Sequence, residues 1–185
     1  NRKGSMKQMS LETVGKILDK YDNPANRIAW YNWGEPLLHN DFETFAEMVG
    51  ESNAQSMMSS SLSLPITDSR LESLRNFDSI NISLSGMTPE IYNIYHINGN
   101  FDLVMKNLKR LSELGLSGVS MTWLSHKHNA FQLQLAKEFA NSLGFKFFVE
   151  QHLNCEVEDL VSGFEHELLK DPKYPNDGDA CHIGG

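Results

Sequence analysis

Apolar residues recur along the chain with two alternating periods, one typical of helices and one typical of strands. Apolar positions three or four apart predict helices over residues 11–21, 41–50, 68–76, from 89 onward, 101–114 and 130–143. Short apolar or alternating runs between them predict strands over residues 27–33, within 54–64, and over 79–85, 118–124 and 145–150. Every predicted strand except the last is therefore followed by a helix.

Residues that favour helix ends stand at the predicted boundaries. Ser10 and Thr88 are typical N-cap residues, and Pro89 stands at a first helical position, where proline is favoured. Gly115 and Gly144 follow two long helical patterns, and glycine commonly ends a helix. The local residue choices agree with the periodicity.

Strict alternation of strands with helices predicts parallel strands joined by right-handed crossovers. The expected fold class is α/β, a parallel sheet with outer helices that is either open or curled into a partial barrel. In both cases ligands bind at the carboxyl ends of the strands. Candidate functional residues are therefore sought at those ends.

Small and polar residues stand where the predicted strands end. After the first strand they are residues 32–35, and at the second they are Ser59, Ser60 and Ser61. On or after the third they are Ser83, Ser85 and Gly86, after the fourth Ser125, His126 and Asn129, and after the fifth residues 150–152. Hydroxyl and amide groups bond ribose and carboxylate oxygens, and glycine lets a ligand approach the backbone. Glu35 is placed to accept from an ammonium group. Loops are polar in any protein, so this pattern leaves both a shared ligand site and ordinary loop solvation open.

Net charge and cysteine content argue against nucleic-acid-binding, membrane-bound and disulfide-rich proteins. The chain has 185 residues, a formal net charge of −8 and no block of five basic residues, which argues against a nucleic-acid groove and an anionic membrane surface. No apolar run approaches the roughly eighteen residues of a membrane span. The two cysteines, Cys155 and Cys181, are too few for a disulfide framework and fit a reducing, cytoplasmic setting.

Four ordered segments resemble the radical S-adenosylmethionine (radical SAM) enzymes. Residues 33–39, Trp-Gly-Glu-Pro-Leu-Leu-His, resemble the family's Gly-Gly-Glu-Pro-Leu-Leu stretch, and 60–63, Ser-Ser-Leu-Ser, resemble its Ser/Thr-Asn-Leu/Gly turn. Residues 81–86, Asn-Ile-Ser-Leu-Ser-Gly, resemble its Ile-Ser-Ile/Leu-Asp/Ser-Gly strand. Residues 92–102 resemble the Tyr-x-x-Tyr-Arg/His-x-x-Gly-x-Phe-Asp segment common in members with a C-terminal SPASM extension.

The resemblance implies a partial (βα)6 barrel in which S-adenosylmethionine chelates a [4Fe–4S] cluster through its amino and carboxylate groups. An electron from the cluster cleaves the sulfonium and yields a 5′-deoxyadenosyl radical, which takes a hydrogen atom from the substrate. The implied partners are a peptide or polar metabolite as substrate and a reductant protein such as ferredoxin or flavodoxin. No nucleic acid or membrane is implied.

The resemblance also assigns cofactor-binding residues at the first two strand ends. Gly34 and Glu35 would receive the methionyl ammonium, with Pro36 shaping the turn. Ser60 or Ser61 would lie near the methionyl or ribose groups, although an asparagine is common at Ser61.

Further along, three more residues receive such roles. Ser83 and Ser85 would contact ribose hydroxyls or the carboxylate. His96 falls where many members place an arginine facing the carboxylate, and a histidine there carries full charge only below about pH 6.5. Trp33 replaces the first glycine of the family's Gly-Gly pair. Its indole either packs beneath the loop or stacks on the ligand, and packing is favoured because tryptophan is usually buried.

The sequence departs from the family at the cluster ligands. Three cysteines spaced Cys-x3-Cys-x2-Cys hold the family's cluster and leave one iron open for S-adenosylmethionine, and no such motif is present here. Those cysteines normally follow the first barrel strand, and residues 1–4 resemble the loop after the third cysteine. We therefore expect a chain that lacks the first βα unit and is inactive by itself.

The predicted organisation is a radical SAM core over residues 1–153 and a linker, or the start of a truncated SPASM-like extension, over 154–185. An acidic helical pattern spans 156–170, and a Pro, Asn and Gly loop follows it. Cys181 matches the position where SPASM extensions begin to supply ligands of an auxiliary Fe–S cluster; a free thiol in a tail is the alternative. Cys155 is interpreted as a structural thiol.

Two other functions stay open. One is a non-catalytic partial barrel that binds S-adenosylmethionine or a nucleotide. The other is an unrelated (βα) barrel enzyme that uses Glu35, Glu150 and His152 as acid–base or metal groups. His126 and His128 are considered as a metal pair, but residues two apart on a strand point to opposite faces, which favours solvated loop residues.

Overall fold

Five parallel strands form one sheet, and they pair in the order of the sequence. The computed structural model describes residues 8–31 and 34–151. The strands are β1 (Arg27–Ala29), β2 (Gln55–Ser60), β3 (Ser79–Leu84), β4 (Val119–Ser125) and β5 (Lys146–Gln151). The helices are α1 (Leu11–Tyr21), α2 (Phe42–Glu51), α3 (Asp68–Glu72), α4 (Pro89–Tyr95), α5 (Phe101–Glu113) and α6 (Leu133–Ser142). The predicted α/β class with a parallel sheet is confirmed.

The two faces of the sheet differ in polarity. Right-handed crossovers between strands in sequential order place the helices on one side. On β3 the side chains of one face, Ile80, Ile82 and Leu84, are at most 1% exposed, and they belong to the hydrophobic core. The alternate residues, Ser79, Asn81 and Ser83, are half-buried. We call these the helix-covered face and the open face.

An aromatic cluster fixes α2 on the helix-covered face. Trp30 meets Phe45 edge-on at 5.1 Å between ring centroids, and Phe42 stacks on Phe77 at 6.1 Å. Phe42, Phe45 and Phe77 are at most 6% exposed. Edge-on and offset stacking suit the aromatic quadrupole and add to the free energy gained by burial. This packing holds the connection between β1 and β2 in place.

Three predicted elements are shorter or interrupted. β1 ends at Ala29 rather than at residue 33, although Trp30 N still donates to Met57 O at 2.8 Å. The helix predicted over 68–76 changes to a 3-10 turn at Ser73, and the helix predicted from residue 130 begins with a 3-10 turn, Ala130–Gln132. Hydrophobic periodicity does not distinguish these tighter turns, because i and i+3 share a face in both geometries.

Helix ends follow the predicted signals. Ser10 Oγ accepts from Thr13 N at 3.2 Å at the start of α1. Gly115 and Gly144 adopt φ of +65° and +76° after α5 and α6, the left-handed conformation that glycine adopts without steric cost. Thr88 precedes α4 as predicted, but its side chain makes no capping hydrogen bond.

Several sequence predictions fall outside the described residues. These are the positions 1–4, Asn32, Trp33, His152, Cys155, the acidic pattern over 156–170, the loop after it and Cys181. Within the described part of the chain, no helix is long and apolar enough to cross a membrane.

Candidate functional site

Glu35 joins the carboxyl ends of β1 and β2. Its Oε2 accepts from Ser61 N at 3.0 Å and from Ser61 Oγ at 3.3 Å, and its Oε1 accepts from Leu37 N at 3.3 Å. Pro36 begins the 3-10 turn Pro36–Leu38, and Leu37 is fully buried beneath it. The proline and the buried leucine therefore fix the backbone that presents the carboxylate.

The Glu35 carboxylate keeps capacity for a further donor. Burial raises the pKa of Glu35 above its ordinary value, while the hydrogen bonds from Ser61 and Leu37 act in the opposite direction. A carboxylate offers about four lone-pair sites, and three are used here. A Cβ added at Gly34 would meet no atom within 4 Å. A half-buried acceptor beside open backbone suits a cationic donor.

The two serines at the end of β2 have different surroundings. Ser60 is 4% exposed, and its Oγ accepts from Leu62 N at 2.9 Å, where Leu62 adopts a φ of 54°. Ser61 donates to Glu35 with both its backbone N–H and its hydroxyl. Ser60 therefore stabilises the turn, and Ser61 lies at the Glu35 corner.

At the end of β3, Ser83 lies on the open face and Ser85 is the first residue after the strand. Ser83 pairs in register with Thr122 of β4. Ser85 follows the strand and is fully buried, yet its Oγ has no hydrogen-bond partner among residues 8–31 and 34–151. A buried hydroxyl without a partner is costly, so it marks a place where a ligand or water would bind.

Tyr92 places His96 on the same rim as Glu35. Its ring stacks on the His96 ring at 4.3 Å between centroids. Burial raises the pKa of Tyr92, and the negative charge of Glu35 raises it further. Tyr92 therefore contacts His96 directly and lies within range of the Glu35 charge, although Glu35 and His96 are 61 positions apart in the sequence.

His96 is neutral at physiological pH. Its Nε2 is buried and has no hydrogen-bond partner within the described ranges. Burial, followed by repulsion from His126, lowers the pKa of His96 from 6.5 to about 4. In this structure His96 therefore offers a neutral imidazole rather than the fixed positive charge of an arginine.

We expect His96 to make folding stability fall as the pH is lowered from about 6.5 to 4. Over that range the unfolded state, with the ordinary histidine pKa, binds a proton that folded His96 does not. In His96→Phe, which keeps the ring stack on Tyr92, the loss of unfolding free energy between pH 7 and pH 4 should be smaller. Urea unfolding at both pH values measures this difference. A His96 midpoint near 6.5 in an NMR titration of the folded chain would contradict the prediction.

His126 and His128 lie in a turn after β4, and the expectation that they are solvated is wrong. His126 is 1% exposed, and its ring stacks on that of His128 at 5.4 Å and on that of Tyr95 at 4.9 Å. Burial lowers the pKa of His128. The strand ends at Ser125, so the alternation of faces no longer applies at these two histidines.

Asn129 forms that turn. Its Oδ1 accepts from His126 N at 2.7 Å, and its Nδ2 donates to Leu124 O at 2.7 Å and to Ser85 O at 2.9 Å. This one side chain joins the ends of β3 and β4. The sequence signal was an asparagine three residues after His126, a residue type that often bonds backbone groups in turns.

The metal-centre alternatives gain no support from the structure. Across residues 8–31 and 34–151, no three His, Cys, Asp or Glu side chains are grouped so that they hold a metal ion. Glu150 is exposed on β5, whereas Glu35 lies beside β1, so the two carboxylates stand at opposite ends of the strand order.

The sequence matches a known protein family and a group of curated relatives. A model of the radical SAM superfamily matches residues 1–140. A probable GTP 3′,8-cyclase of Methanococcus maripaludis (strain C5) is 25% identical over 154 residues, and that of strain S2 is 24% identical over the same length. The alignment takes in 82% of this chain and 51% and 52% of these two relatives. The chain therefore spans about half the length of the curated relatives it matches.

Solved structures share the fold at low sequence identity. Streptococcus suis SuiB bound to S-adenosylmethionine aligns with a TM-score of 0.69 at 15% identity, over 87% of this chain and 38% of SuiB. Native anSMEcpe with bound AdoMet aligns with a TM-score of 0.63 at 19% identity, over 82% of this chain and 45% of that one. These likenesses confirm a partial (βα) barrel. The family model matches residues 1–140, well over half of the 185 residues, and on that ground this chain belongs to the radical SAM superfamily.

Proposed function

We propose that this chain forms the S-adenosylmethionine-binding core of a radical SAM enzyme. The observation that carries the proposal is the shared rim on which Glu35, Tyr92 and His96 lie at the carboxyl ends of the strands. Family membership replaces the alternative of an unrelated barrel enzyme, whereas a non-catalytic binding module stays open.

The residues present fit the polar groups of S-adenosylmethionine. The ligand carries an ammonium, a carboxylate and ribose hydroxyls. The rim provides the Glu35 carboxylate beside the open backbone of Gly34, and the buried, unpartnered polar atoms Ser85 Oγ and His96 Nε2. Hydrogen bonds to such atoms recover the free energy lost when they were desolvated.

In this proposal Gly34 and Glu35 receive the methionyl ammonium, and Pro36 fixes the turn. A buried carboxylate is destabilised by desolvation, and an ammonium partner offsets that cost. Binding would therefore lower the pKa of Glu35 from its raised value. Ser61 orients the carboxylate, and Ser60 stabilises the turn behind it.

On the other side of the rim, Ser83 and Ser85 contact the ribose hydroxyls or the carboxylate. His96 donates its ring N–H to the carboxylate, and that negative charge raises the pKa of His96 from about 4. Without bound ligand, a neutral imidazole at this position destabilises the protein less than an arginine would, because no cation is then buried without a partner.

A [4Fe–4S] cluster belongs to the same proposal, but the described residues contain no thiolate to hold it. When bound, the cluster supplies the electron that cleaves S-adenosylmethionine reductively. The core over residues 1–153, the extension over 154–185, an auxiliary-cluster ligand at Cys181 and a ferredoxin or flavodoxin reductant remain predictions.

The substrate is proposed as a peptide or a polar metabolite. One solved structure that shares the fold is SuiB bound to the precursor peptide SuiA, at 17% identity. The curated relatives are probable GTP 3′,8-cyclases, which makes a guanosine nucleotide a specific alternative.

Glu35→Gln should weaken S-adenosylmethionine binding about ten-fold or more, because the amide keeps the size of the side chain and removes its charge. Equilibrium dialysis with radiolabelled S-adenosylmethionine measures this directly. Glu47→Gln, at an exposed position of α2, is the matched control and should bind like the unmodified chain.

Equal affinities of Glu35→Gln and the control, with the same unfolding midpoint, would show that Glu35 does not bind the ammonium. To separate an enzyme from a binding module, the natural full-length protein is reconstituted with iron and sulfide and supplied with a reductant. Formation of 5′-deoxyadenosine supports the enzyme, and binding without cleavage supports the module.

A further inference from the structure

Asn81 lies in the middle of β3 on the open face, and only half of its amide group is used by the protein. Its Oδ1 accepts from Thr122 Oγ1 at 2.6 Å and from Ser120 Oγ at 3.2 Å, both on β4. Among the hydrogen bonds of residues 8–31 and 34–151, none uses Asn81 Nδ2. Two N–H donors therefore remain for a ligand.

The two hydroxyls determine which way the amide is presented. A carbonyl oxygen has two lone pairs, and both face donors from β4; Thr122 Oγ1 donates at 2.6 Å, and the single Ser120 hydroxyl proton is shared between Asn81 Oδ1 at 3.2 Å and Ile80 O at 3.4 Å. Thr122 is 4% exposed and Ser120 is 8% exposed, so neither hydroxyl is freely solvated. Exchanging Oδ1 and Nδ2 would give up both of these donations. Asn81 is thus held as a donor.

The residues that pair with Asn81 in register on β2 and β4, and those two positions away along β3, are polar and uncharged. Ser59 of β2 pairs with Asn81 in register, and Ser83 lies two residues further along β3 on the same face. On the helix-covered face the neighbours of Asn81 are Ile80 and Ile82, both buried. Apolar residues would be expected on a face that only fills a core, so an amide flanked by hydroxyls indicates recognition of a polar group.

The charges on the open face disfavour a phosphate at this position. At the level of Asn81, the nearest basic side chain in register is Lys146 of β5, two strands away. Strands lie about 4.8 Å apart, which places the two backbones roughly 10 Å from each other. A phosphate bound at Asn81 would be desolvated without a direct cationic partner.

We propose that Asn81 is a specificity-determining residue that donates a hydrogen bond to an uncharged acceptor of the substrate, a carbonyl oxygen. This inference rests on the proposed function, because it places the substrate on the sheet face below the S-adenosylmethionine rim. A carbonyl of this kind comes either from a peptide amide or from a nucleobase. Thr122 acts as a positioning residue, since it holds Asn81 Oδ1 and leaves Nδ2 toward the substrate.

The test uses the side-chain amide signal of Asn81 in the 15N-labelled chain, identified by its absence in Asn81→Asp. Four probes are titrated: N-acetylglycylglycinamide, guanosine, GTP and inorganic tripolyphosphate. We expect the blocked peptide or guanosine to shift the signal saturably, and whichever does so identifies the source of the carbonyl. Asn81→Asp keeps an oxygen for Thr122 and Ser120 but removes both donors, so it should weaken that binding about ten-fold.

Asn141→Asp, at an exposed position of α6, is the matched control and should bind like the unmodified chain. Thr122→Val should shift the Asn81 signal in the free chain and weaken the same probe by a smaller factor. The inference is overturned if neither neutral probe moves the Asn81 signal. It is also overturned if GTP binding depends on Lys146 in a Lys146→Gln variant and not on Asn81.

Dialysis of S-adenosylmethionine on the same samples separates the two proposals. If the unmodified chain binds S-adenosylmethionine and no neutral probe reaches Asn81, this inference alone fails. If the unmodified chain does not bind S-adenosylmethionine, the proposed function fails.

Discussion

Gly86→Ala is expected to destabilise the chain by about 3 kcal/mol and to weaken S-adenosylmethionine binding at the same time. Gly86 is buried where β3 meets α4, and an added Cβ would overlap the backbone N and Cα of Tyr92 and lie 2.8 Å from Ile91 C. Backbone atoms cannot rotate away, so α4 must shift as a unit. Because α4 carries Tyr92 and is followed directly by His96, the shift moves the rim of the proposed site.

Urea unfolding measures the stability loss, and dialysis measures the affinity. Gly15→Ala is the matched control: it lies within α1, and an added Cβ would meet only Met48 Cε at 3.5 Å, an ordinary contact. Alanine is a better helix former than glycine, so this control should gain about 0.5–1 kcal/mol. A Gly86→Ala chain as stable as the control would show that α4 does not pack against Gly86 as described.

Asn129→Asp is expected to destabilise the chain by about 3 kcal/mol at pH 7, although the two side chains have nearly the same shape. The amide donates to Ser85 O and Leu124 O, and a carboxylate would place negative charge against both carbonyls. Asn129 is fully buried, so water cannot replace the lost donors. The ends of β3 and β4 would separate, and with them Ser85 and the turn at His126.

The loss should shrink as the pH falls. Burial beside two carbonyls raises the pKa of the introduced aspartate in the folded state. At pH values between its pKa in the unfolded state and its pKa in the folded state, folding is therefore accompanied by uptake of a proton. Stability relative to the unmodified chain is therefore regained as the pH falls through the raised pKa. Unfolding at pH 7 and pH 4.5 checks the sign. Asn141→Asp, with an exposed side chain, should lose little at either pH, and an equal loss in both variants would contradict the role of Asn129.

The sequence predicted the strands and helices because local and periodic signals agreed. Apolar spacing, Ser10 as a cap and Gly115 as a terminator all act within a few residues, and the five predicted strands are all present and parallel. The exceptions are local as well. β1 ends four residues before its predicted end, and two helices contain 3-10 turns that apolar spacing does not distinguish.

Within the candidate site, the sequence indicated which residues gather but not what each one contacts. Glu35 was recognised by its position between glycine and proline, whereas its bonds to Ser61 depend on how β1 and β2 end side by side. The burial of His126 was missed, because alternation along a strand does not continue into the turn that follows it. The role of Asn81 also depends on a neighbour 41 positions away, Thr122.

What the sequence determined by itself is the α/β class, the parallel right-handed crossovers and the set of polar residues at the strand ends, whereas the order in which the strands pair came from the structure. These follow from short-range physics: periodic burial, caps and the handedness of βαβ units. The tertiary structure alone decided that Tyr92 stacks on His96 within range of the Glu35 charge, that Asn129 joins β3 to β4 and that Asn81 keeps two free donors. Hydrogen bonds and desolvation act over a few ångströms in space between residues far apart in sequence, so they exist only after the strands have paired.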